Sequence, residues 1–293
     1  MFKIEALRSV LEQQASDYVD LEIYEASGLS GTDNDIYRLG TGYCLRIPKS
    51  QNSADQLKKE VAWLPVVQKL PLAVPQPVIL GQPTIEIAFD WAIYTWLDGQ
   101  DLLRSGLVSE DTIAKQLSQF LKSLWALNIE GGPRAGRQNN YRGGDLCGRD
   151  TLTREAFREL SGEFSENSLS EIWSDACDAA TVDISPRWVH GDIHAANMIV
   201  DKHRLIGLID WGLMGVGDPA VDLMPAWSML SYGARSEFKR DIEVDEVTWR
   251  RGRGWAVSVS VIAYAYYKDR PDFWLNEISK RTLNEILADT VTF

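Results

Sequence analysis

The sequence predicts an α+β fold in two parts, a small antiparallel sheet followed by a larger and mainly helical region. Residues 18–97 contain short runs in which apolar and polar residues alternate, a pattern typical of β-strands. Beyond residue 98 the apolar residues recur at intervals of three and four, which is typical of helices. We therefore expect an N-terminal lobe of five strands over residues 1–97, a hinge at about 94–99, and a helical C-terminal lobe over residues 98–293.

An amphipathic helix precedes the strands, because apolar and charged residues are interspersed in the segment MFKIEALRSVLEQQ. A second helix is expected over Ser53–Trp63, with Ser53 as its N-cap and Pro65 ending or kinking it within about one turn. Glycine and proline bound the remaining extended runs. The five strands are predicted at Tyr18–Glu25, at Ile36–Leu39, at Tyr43–Ile47, within residues 71–83 and within residues 86–97.

The second region begins with a helical pattern over Asp111–Leu127. Residues 131–149 are rich in Gly, Arg and Asn, which predicts an ordered surface loop. The longest apolar run, Trp255–Tyr267, contains serines and is shorter than the roughly 20 residues that a bilayer requires. We therefore expect a buried helix there and no membrane partner.

The charge balance argues against one class of partner. The formal net charge is −12 and the pI is about 4.8, whereas a nucleic-acid binder needs a basic stripe for the phosphates. We therefore expect no nucleic-acid partner. A cationic ligand is compatible with this charge, although an acidic surface can equally serve to keep a protein soluble.

Cysteine usage and the first residues indicate the compartment. The three cysteines, Cys44, Cys147 and Cys177, show no CxxC spacing, so they predict neither a disulfide framework nor a cysteine metal site. Glu5 and Glu12 lie among the first apolar residues, unlike the apolar core of a signal peptide. We expect a cytoplasmic protein.

Three motifs carry most of the chemical information: WVHGDIHAANMIV at residues 188–200, LIDWG at residues 208–212 and GDPAVDL at residues 217–223. The order HGDxxxxN, IDxG, GDPAxDL resembles the aminoglycoside phosphotransferase family, which is related to the protein kinases. GTDNDIYRLG and LRIP in the first lobe are similar to the nucleotide-binding strands of that family, and LRIP is also similar to the macrolide kinases. The resemblance implies a bilobal protein-kinase-like fold and transfer of the γ-phosphoryl group of ATP or GTP to a hydroxyl group.

The same residues suit phosphoryl transfer on chemical grounds, because this reaction needs an oriented hydroxyl and a metal-bridged polyphosphate. Asp192 lies between two strand-like runs, where it can hold the acceptor hydroxyl and take its proton late in transfer. Asn197 and Asp210 can converge from adjacent strands as oxygen ligands for Mg²⁺. Each residue alone would be explained by a turn or capping role, but the set in this order predicts a catalytic aspartate and two metal ligands.

A zinc site is the alternative for the same stretch, because His190 and His194 are four residues apart and flank a carboxylate. Gly191 interrupts the helix that such a site requires, and no third ligand follows at a suitable position. We expect His190 to orient the catalytic loop by hydrogen bonding. Asp218 and Asp222 are expected to anchor the start of a helix and to brace the site, with a direct catalytic role as the alternative.

The resemblance places a phosphate-anchoring lysine on the third strand, where this sequence has Arg46. Alternation puts Arg46 on the face opposite Leu45 and Ile47, whereas Lys49 lies beyond the strand. We therefore predict that Arg46 binds the nucleotide phosphates and pairs with Glu60 on the following helix. A surface ion pair is the alternative for these two residues.

Further nucleotide contacts are predicted on both sides of the cleft. The turn after the first strand lacks a full GxGxxG pattern, but the backbone amides near Ser30, Gly31 and Thr32 can reach the β-phosphate. The resemblance makes the backbone from Thr95 to Leu97 face the adenine.

The acceptor should contact the helical lobe after Asp222, and its identity stays open between an aminoglycoside, a macrolide and a housekeeping metabolite such as an amino alcohol or amino sugar. Acidic residues would suit an aminocyclitol, and a large apolar wall would suit a macrolide. A nucleotide-binding module without catalysis is a further alternative, and we expect a monomer or weak dimer. Aromatic residues at helical spacing usually pack in a core, so we expect most of the candidates to be core residues. The candidate contacts are Trp227, Trp255, Tyr264, Tyr267, Asp269, Asp272, Trp274 and Glu277.

Overall fold

A computed structural model describes residues 2–26, 33–106, 108–180, 183–270 and 273–289. The described strands are β1 (Ile23–Glu25), β2 (Asn34–Leu39), β3 (Tyr43–Pro48), β4 (Pro77–Gly81), β5 (Trp91–Thr95), β6 (Gln100–Asp101), β7 (Arg187–Val189), β8 (Met198–Asp201), β9 (Arg204–Leu208) and β10 (Gly215–Gly217). The described α-helices are α1 (Ile4–Gln14), α2 (Gln51–Val67), α3 (Leu102–Ser105), α4 (Glu110–Trp125), α5 (Asp150–Glu159), α6 (Glu166–Ala179), α7 (Pro225–Ser228), α8 (Tyr232–Ile242), α9 (Glu246–Tyr267) and α10 (Trp274–Asp289).

The first five strands form one antiparallel sheet in the order β1-β2-β3-β5-β4. Its two faces have separate cores because side chains alternate along each strand. In β3, Leu45 and Ile47 pack with α1 residues such as Leu7, whereas Cys44 belongs with α2 to the larger core of the protein. Arg46 therefore points to the α2 face, as its position in the alternation predicts.

Two details of this part differ from the sequence prediction. The first strand is shorter than Tyr18–Glu25, because residues 16–18 form a short 3₁₀ helix before β1. The N-cap of α2 is Ser50 and not Ser53, since the Ser50 hydroxyl accepts a hydrogen bond from the Ser53 amide at 3.2 Å. The polar run SQNS offered several capping residues, and α2 begins with two exposed polar residues, Gln51 and Asn52, before the apolar positions that mark the helix.

The second part is mainly helical, with two small sheets, β6-β8-β9 and β7-β10. Its largest buried residues include Trp173, Trp188, Trp211, Trp227 and Trp255, which pack in one hydrophobic core. No helix in the described ranges is long and apolar enough to cross a membrane. The predicted five-stranded antiparallel sheet and helical C-terminal region are confirmed, and the boundary at residues 97–98 stays a prediction.

The two parts are joined by backbone hydrogen bonds as well as by the chain itself. Ala73 donates to the carbonyl of Ile206 at 2.8 Å and accepts from Leu208 at 3.0 Å. This contact requires Gly207, because a Cβ there would lie 2.9 Å from the Ala73 carbonyl oxygen. The segment after α2 is thereby attached to β9, which ends two residues before Asp210.

Candidate active site

The loop that contains Asp192 connects β7 to β8 and has a sharply constrained backbone. Gly191 has a φ of +84°, and a Cβ there would lie 2.7 Å from the carbonyl oxygen of Leu213. Only glycine combines this conformation with this close approach at low cost. The HGD motif therefore needs its glycine to turn the chain and present Asp192 to the cleft.

His190 holds the start of this loop. Its ring is fully buried, its Nε2 donates to the Ile209 carbonyl at 3.1 Å, and its Nδ1 accepts from the Asp192 amide at 3.2 Å. Burial lowers the pKa of His190 to about 4, so the ring is neutral at pH 7. A neutral ring can accept at Nδ1, and His190 thus makes the orienting hydrogen bonds expected from the sequence.

Asp222 holds the same loop from the other side. Its two carboxylate oxygens accept hydrogen bonds from the amides of His190 and Gly191, each at 2.8 Å. Burial raises the pKa of Asp222 to about 7, although the two amide hydrogen bonds oppose the shift. Asp218 caps the next 3₁₀ helix and pairs with buried Arg251 at 2.8 Å. Both aspartates brace the site, as expected.

Asp192 is partly accessible, with 27% of its side chain exposed. Its Oδ2 lies 3.5 Å from Nε2 of His194, and its Oδ1 lies 3.7 Å from a guanidinium nitrogen of Arg142. Burial opposes ionisation, but the contacts with His194 and then Arg142 outweigh it and hold the pKa of Asp192 well below its usual range. Asp192 is therefore a carboxylate that can accept a hydrogen bond from a substrate hydroxyl.

Asn197 and Asp210 lie on either side of one backbone contact, because the Ile209 amide donates to the Asn197 carbonyl at 3.0 Å. Nδ2 of Asn197 donates to the Asp192 carbonyl at 3.0 Å and lies 3.0 Å from Nε2 of His194. These contacts use the amide nitrogen and leave the amide oxygen as the atom able to bind a cation. The Asp210 side chain is 57% exposed. The pair supplies two oxygen atoms, the type of ligand that Mg²⁺ prefers.

Arg46 and Glu60 form a buried ion pair on the α2 side of the sheet. Nη1 of Arg46 lies 2.9 Å from both Glu60 oxygens, and Nη2 lies 3.7 Å from Asp210. Only 1% of the Glu60 side chain is exposed, which excludes the alternative of a surface ion pair. Lys49 instead lies 3.3 Å from Asp35, with 39% of its side chain exposed.

One cleft of about 1430 Å³ contains most of the predicted site residues. Glu60 lies behind Arg46 and is not part of the lining. Ser30, Gly31 and Thr32 lie outside the described residues. The predicted residues that line the cleft are Arg46, Thr95, Leu97, Asp192, Asn197 and Asp210.

The zinc alternative has no geometric support. His190 is enclosed by backbone contacts, whereas His194 lies against Trp274 at a ring-centroid distance of 5.1 Å. Across the described ranges, no group of three or more His, Cys, Asp or Glu residues could hold a metal ion.

One end of the cleft is formed by α9, α10 and the loop before α5, and we call it the acceptor end because the sequence predicted acceptor contacts there. Of the predicted contacts, Tyr267 and Trp274 line it, whereas Trp227, Trp255 and Tyr264 belong to the buried core. Asp269 and Glu277 lie outside the lining, and Asp272 is not among the described residues. Residues not predicted at this end are Arg142, Arg149, Tyr266 and Phe273. The arginine-rich composition of residues 131–149 was the available signal for the first two.

The phosphotransferase enzyme family has a family model that matches residues 26–255, well over half of the chain. The chain belongs to this family. The match spans the strand with Arg46, the HGD loop and both aspartate motifs, so the resemblance noted from the motifs is confirmed. A search of curated proteins finds no significant match to this phosphotransferase.

Solved structures of similar fold cover nearly the whole phosphotransferase. The GDP complex of aminoglycoside 2'-phosphotransferase-IIIa has a TM-score of 0.72 and 20% identity, covering 98% of this chain and 99% of that chain. The streptomycin-ATP-APH(2")-IIa ternary complex has a TM-score of 0.63 and 20% identity, covering 98% and 97%. The apoenzyme of macrolide 2'-phosphotransferase MphH from Brachybacterium faecium has a TM-score of 0.60 and 18% identity, covering 96% and 97%. At these identities the likeness establishes the fold.

Proposed function

We propose that this phosphotransferase moves the γ-phosphoryl group of ATP or GTP to a hydroxyl group of a small molecule, with Asp192 as the catalytic residue. The observation that carries the proposal is the single cleft lined by Asp192, Asn197, Asp210 and Arg46. A hydroxyl held by Asp192 would lie in the same space as a nucleotide anchored by Arg46. Such a reaction needs positioning and charge stabilisation more than covalent chemistry.

Asp192 would orient the acceptor hydroxyl and take its proton late in transfer. Its lowered pKa makes it a weak base, so orientation is the larger part of its role. The backbone of the loop is held by His190 and Asp222, and therefore the carboxylate keeps one position while the acceptor binds.

Asn197 and Asp210 would hold Mg²⁺, and both provide oxygen ligands at the cleft surface. Two protein ligands are enough, because Mg²⁺ at such sites also binds substrate phosphates and water. The bound ion would neutralise charge on the phosphates of the nucleotide. Asp210 lies 3.7 Å from Arg46, so both residues can approach the same polyphosphate.

Arg46, Glu60 and the segment Thr95–Leu97 would bind the nucleotide. Glu60 accepts hydrogen bonds from Nη1 of Arg46, so the Nη2 side of the guanidinium can bind phosphate oxygens. Thr95 and Leu97 line the cleft next to β3, where a base could be placed against the backbone. The backbone near Ser30, Gly31 and Thr32 would cover the β-phosphate. Two structures of similar fold are complexes with GDP and with ATP, so a guanine and an adenine nucleotide should both be tested.

An antibiotic hydroxyl is the first acceptor to test, because similar structures are named as aminoglycoside and macrolide phosphotransferases. The aromatic acceptor end, with Tyr266, Tyr267, Phe273 and Trp274, suits an apolar surface such as a macrolide ring. We also propose that the protein acts in the cytoplasm, as a monomer or weak dimer.

A metabolite kinase is the second candidate, and the charge of the cleft favours it over an aminoglycoside kinase. Among the residues that the structure describes, the carboxylates that line the cleft are those of Asp33, Asp101, Asp192 and Asp210. Asp192 and Asp210 have proposed roles in transfer, and Asp101 pairs with Arg104 at 3.2 Å. Few carboxylates are therefore left to bind several ammonium groups.

The deciding experiment is a nucleotide-consumption assay with Mg²⁺ and a panel of aminoglycosides, macrolides and hydroxylated metabolites, confirmed by mass spectrometry of the phosphorylated product. We expect at least one acceptor to gain a phosphoryl group with wild type and not with Asp192→Asn. Equal product formation by both proteins would contradict the proposed role of Asp192, and acceptor-independent nucleotide hydrolysis alone would contradict the transfer function.

A further inference from the structure

Arg149 is a partly buried cation that faces the acceptor end of the cleft without a carboxylate partner. It precedes α5 and lines the cleft, and no Asp or Glu of the described ranges forms an ion pair with it. Three more deeply buried or shielded arginines have such partners: Arg46 pairs with Glu60, Arg235 with Asp289, and Arg251 with Asp218. Buried charges are ordinarily paired, so an unpaired one in a cleft points to a missing anion.

The guanidinium of Arg149 is held in a fixed orientation. Nε donates to the Ser258 hydroxyl at 2.8 Å, and that hydroxyl lies 2.8 Å from the hydroxyl of Thr153. Ser258 and Thr153 are both fully buried. The guanidinium carbon also lies 5.5 Å from the ring centre of Trp255. Because the hydrogen bonds given by the protein use Nε, the two terminal nitrogens are left to bind a ligand.

The protein maintains this charge at a cost. Burial, with a smaller contribution from the positive charge of Arg142, lowers the pKa of Arg149 to about 10. Arg149 still carries its proton at pH 7. Arg142 lies on the Asp192 side and contacts that carboxylate at 3.7 Å, so it is not free to receive an anion in the same way. An anion bound beside Arg149 would relieve both the desolvation and the repulsion.

We propose that Arg149 binds a carboxylate group of the acceptor molecule. This inference rests on the proposed phosphoryl transfer and adds the chemical class of the acceptor, a hydroxyl compound with one carboxylate and an apolar body. The hydroxyl lies at Asp192, the carboxylate accepts two hydrogen bonds from the planar fork of Arg149, and the apolar body packs against Phe273 and Trp274.

The geometry favours a carboxylate over other charged groups. One guanidinium with two terminal nitrogens matches the two oxygens of one carboxylate. A phosphate monoester has three oxygens and nearly two charges, and would need more donors than Arg149 offers. An ammonium group beside Arg149 would meet the repulsion of its guanidinium, which selects against polycations at this end.

The test measures binding of a matched pair of probes by calorimetry, N-benzoylserine and its methyl ester, in the presence of Mg²⁺ and a non-hydrolysable ATP analogue. Both probes carry the hydroxyl and the aromatic body, and only the first carries the carboxylate. We expect the acid to bind wild type at least about tenfold more tightly than the ester, as charge-assisted bidentate hydrogen bonds provide. Arg149→Gln should remove the preference, whereas the control Arg158→Gln, at an exposed position on α5, should keep it.

Equal binding of acid and ester, failure of both to bind at millimolar concentration, or a preference that survives Arg149→Gln would each overturn the inference. Competition against N-benzoylserine by inorganic phosphate but not by benzoate would overturn the carboxylate assignment. If thermal melting shows that Arg149→Gln does not fold, Ser258→Ala replaces it. Loss of the Nε contact should reduce the preference severalfold, and an unchanged preference would refute the site.

Failure of this inference and failure of the proposed function give different results. Phosphoryl transfer to uncharged acceptors, with no preference for acids, keeps the transfer function and refutes the carboxylate site. Preferential binding of the acid without transfer to any hydroxyl keeps the site and refutes the transfer function.

Discussion

Nη1 of Arg46 lies 2.9 Å from both carboxylate oxygens of Glu60, so one nitrogen of the guanidinium is shared between two acceptors while the rest of the fork faces the cleft. The pair is shielded from solvent, because only 13% of the Arg46 side chain and 1% of the Glu60 side chain are exposed. The ion pair therefore links the sheet to α2. It also holds a cation at the position proposed for the polyphosphate of the nucleotide.

Replacement of Arg46 by alanine should weaken productive nucleotide use by roughly 2–4 kcal/mol, because it removes one member of a shielded charged pair. Arg46→Lys should keep part of the activity, since it retains the charge but loses the planar fork. Lys49→Ala is the matched control and should have almost no effect. Steady-state kinetics decide the matter: an inactive Lys49→Ala beside an active Arg46→Ala would mean that Lys49 is the anchor.

Substitution of Asp192 by alanine or asparagine should remove most phosphoryl transfer, by about 10²–10⁴-fold, because the acceptor hydroxyl loses its orienting base. Nucleotide affinity and thermal stability should change little, since Asp192 contributes its backbone amide to His190 and keeps it in both variants. Single-turnover transfer within tenfold of wild type would contradict the assignment.

Asp210→Ala should abolish the tightening of nucleotide binding by Mg²⁺, because it removes an oxygen ligand at the cleft surface. Titration calorimetry of the nucleotide with and without Mg²⁺ measures the effect directly. Asp201→Ala, at an exposed position at the end of β8, is a suitable control and should leave the Mg²⁺ dependence intact. An unchanged Mg²⁺ effect in Asp210→Ala would remove Asp210 from the metal site.

His190 should make folding stability depend on pH. Its pKa is about 4 in the folded protein, and the unfolded value is higher, near 6.5. Between these values the unfolded chain binds the extra proton, so this contribution to the free energy of unfolding falls as pH decreases, by about 3 kcal/mol in all. Asp222 contributes a slope of opposite sign, because its pKa is raised. The comparison is therefore wild type against His190→Gln by urea denaturation at pH 4.5 and pH 7.5. Identical pH dependence of the two proteins would contradict the shift.

The buried pair of Arg251 and Asp218 should be sensitive to removal of one partner. Arg251→Met leaves the Asp218 carboxylate buried without its cation and should lower the free energy of unfolding by about 3–5 kcal/mol. Arg240→Met removes an arginine from an exposed pair with Asp241 and should cost less than about 1 kcal/mol. An equal decrease in the free energy of unfolding in the two variants would show that the buried pair contributes no more to stability than the exposed pair.

The sequence predicted the parts of the site that depend on local pattern. Alternation in β3 placed Arg46 on the face opposite Leu45 and Ile47. The HGDxxxxN spacing put Asp192 and Asn197 in one loop, because residues so close in sequence meet through short-range turns. Arg149 could not be predicted in the same way. Its position depends on Ser258, which is more than one hundred residues away in the chain, and only the packing of α9 against the loop reveals the contact.

The aromatic residues predicted to contact the acceptor also depend on packing that the sequence does not reveal. Trp255 and Tyr264 share one helix with residues that line the cleft, but the helix is so enclosed that its apolar face continues around most of its circumference. Helical spacing alone does not say which of these side chains meets a ligand and which meets α6 or α10. Capping of α2 was misplaced for a related reason, since the segment SQNS contains two serines able to cap and only the backbone geometry distinguishes them.

The attachment of Ala73 to β9 makes the position of Asp210 depend on both parts of the protein. Two backbone hydrogen bonds connect the segment between α2 and β4 to the strand that leads to Asp210. Because β9 ends two residues before Asp210, a change that displaced Ala73 or added a side chain at Gly207 would act on a proposed metal ligand without altering the residues that line the cleft.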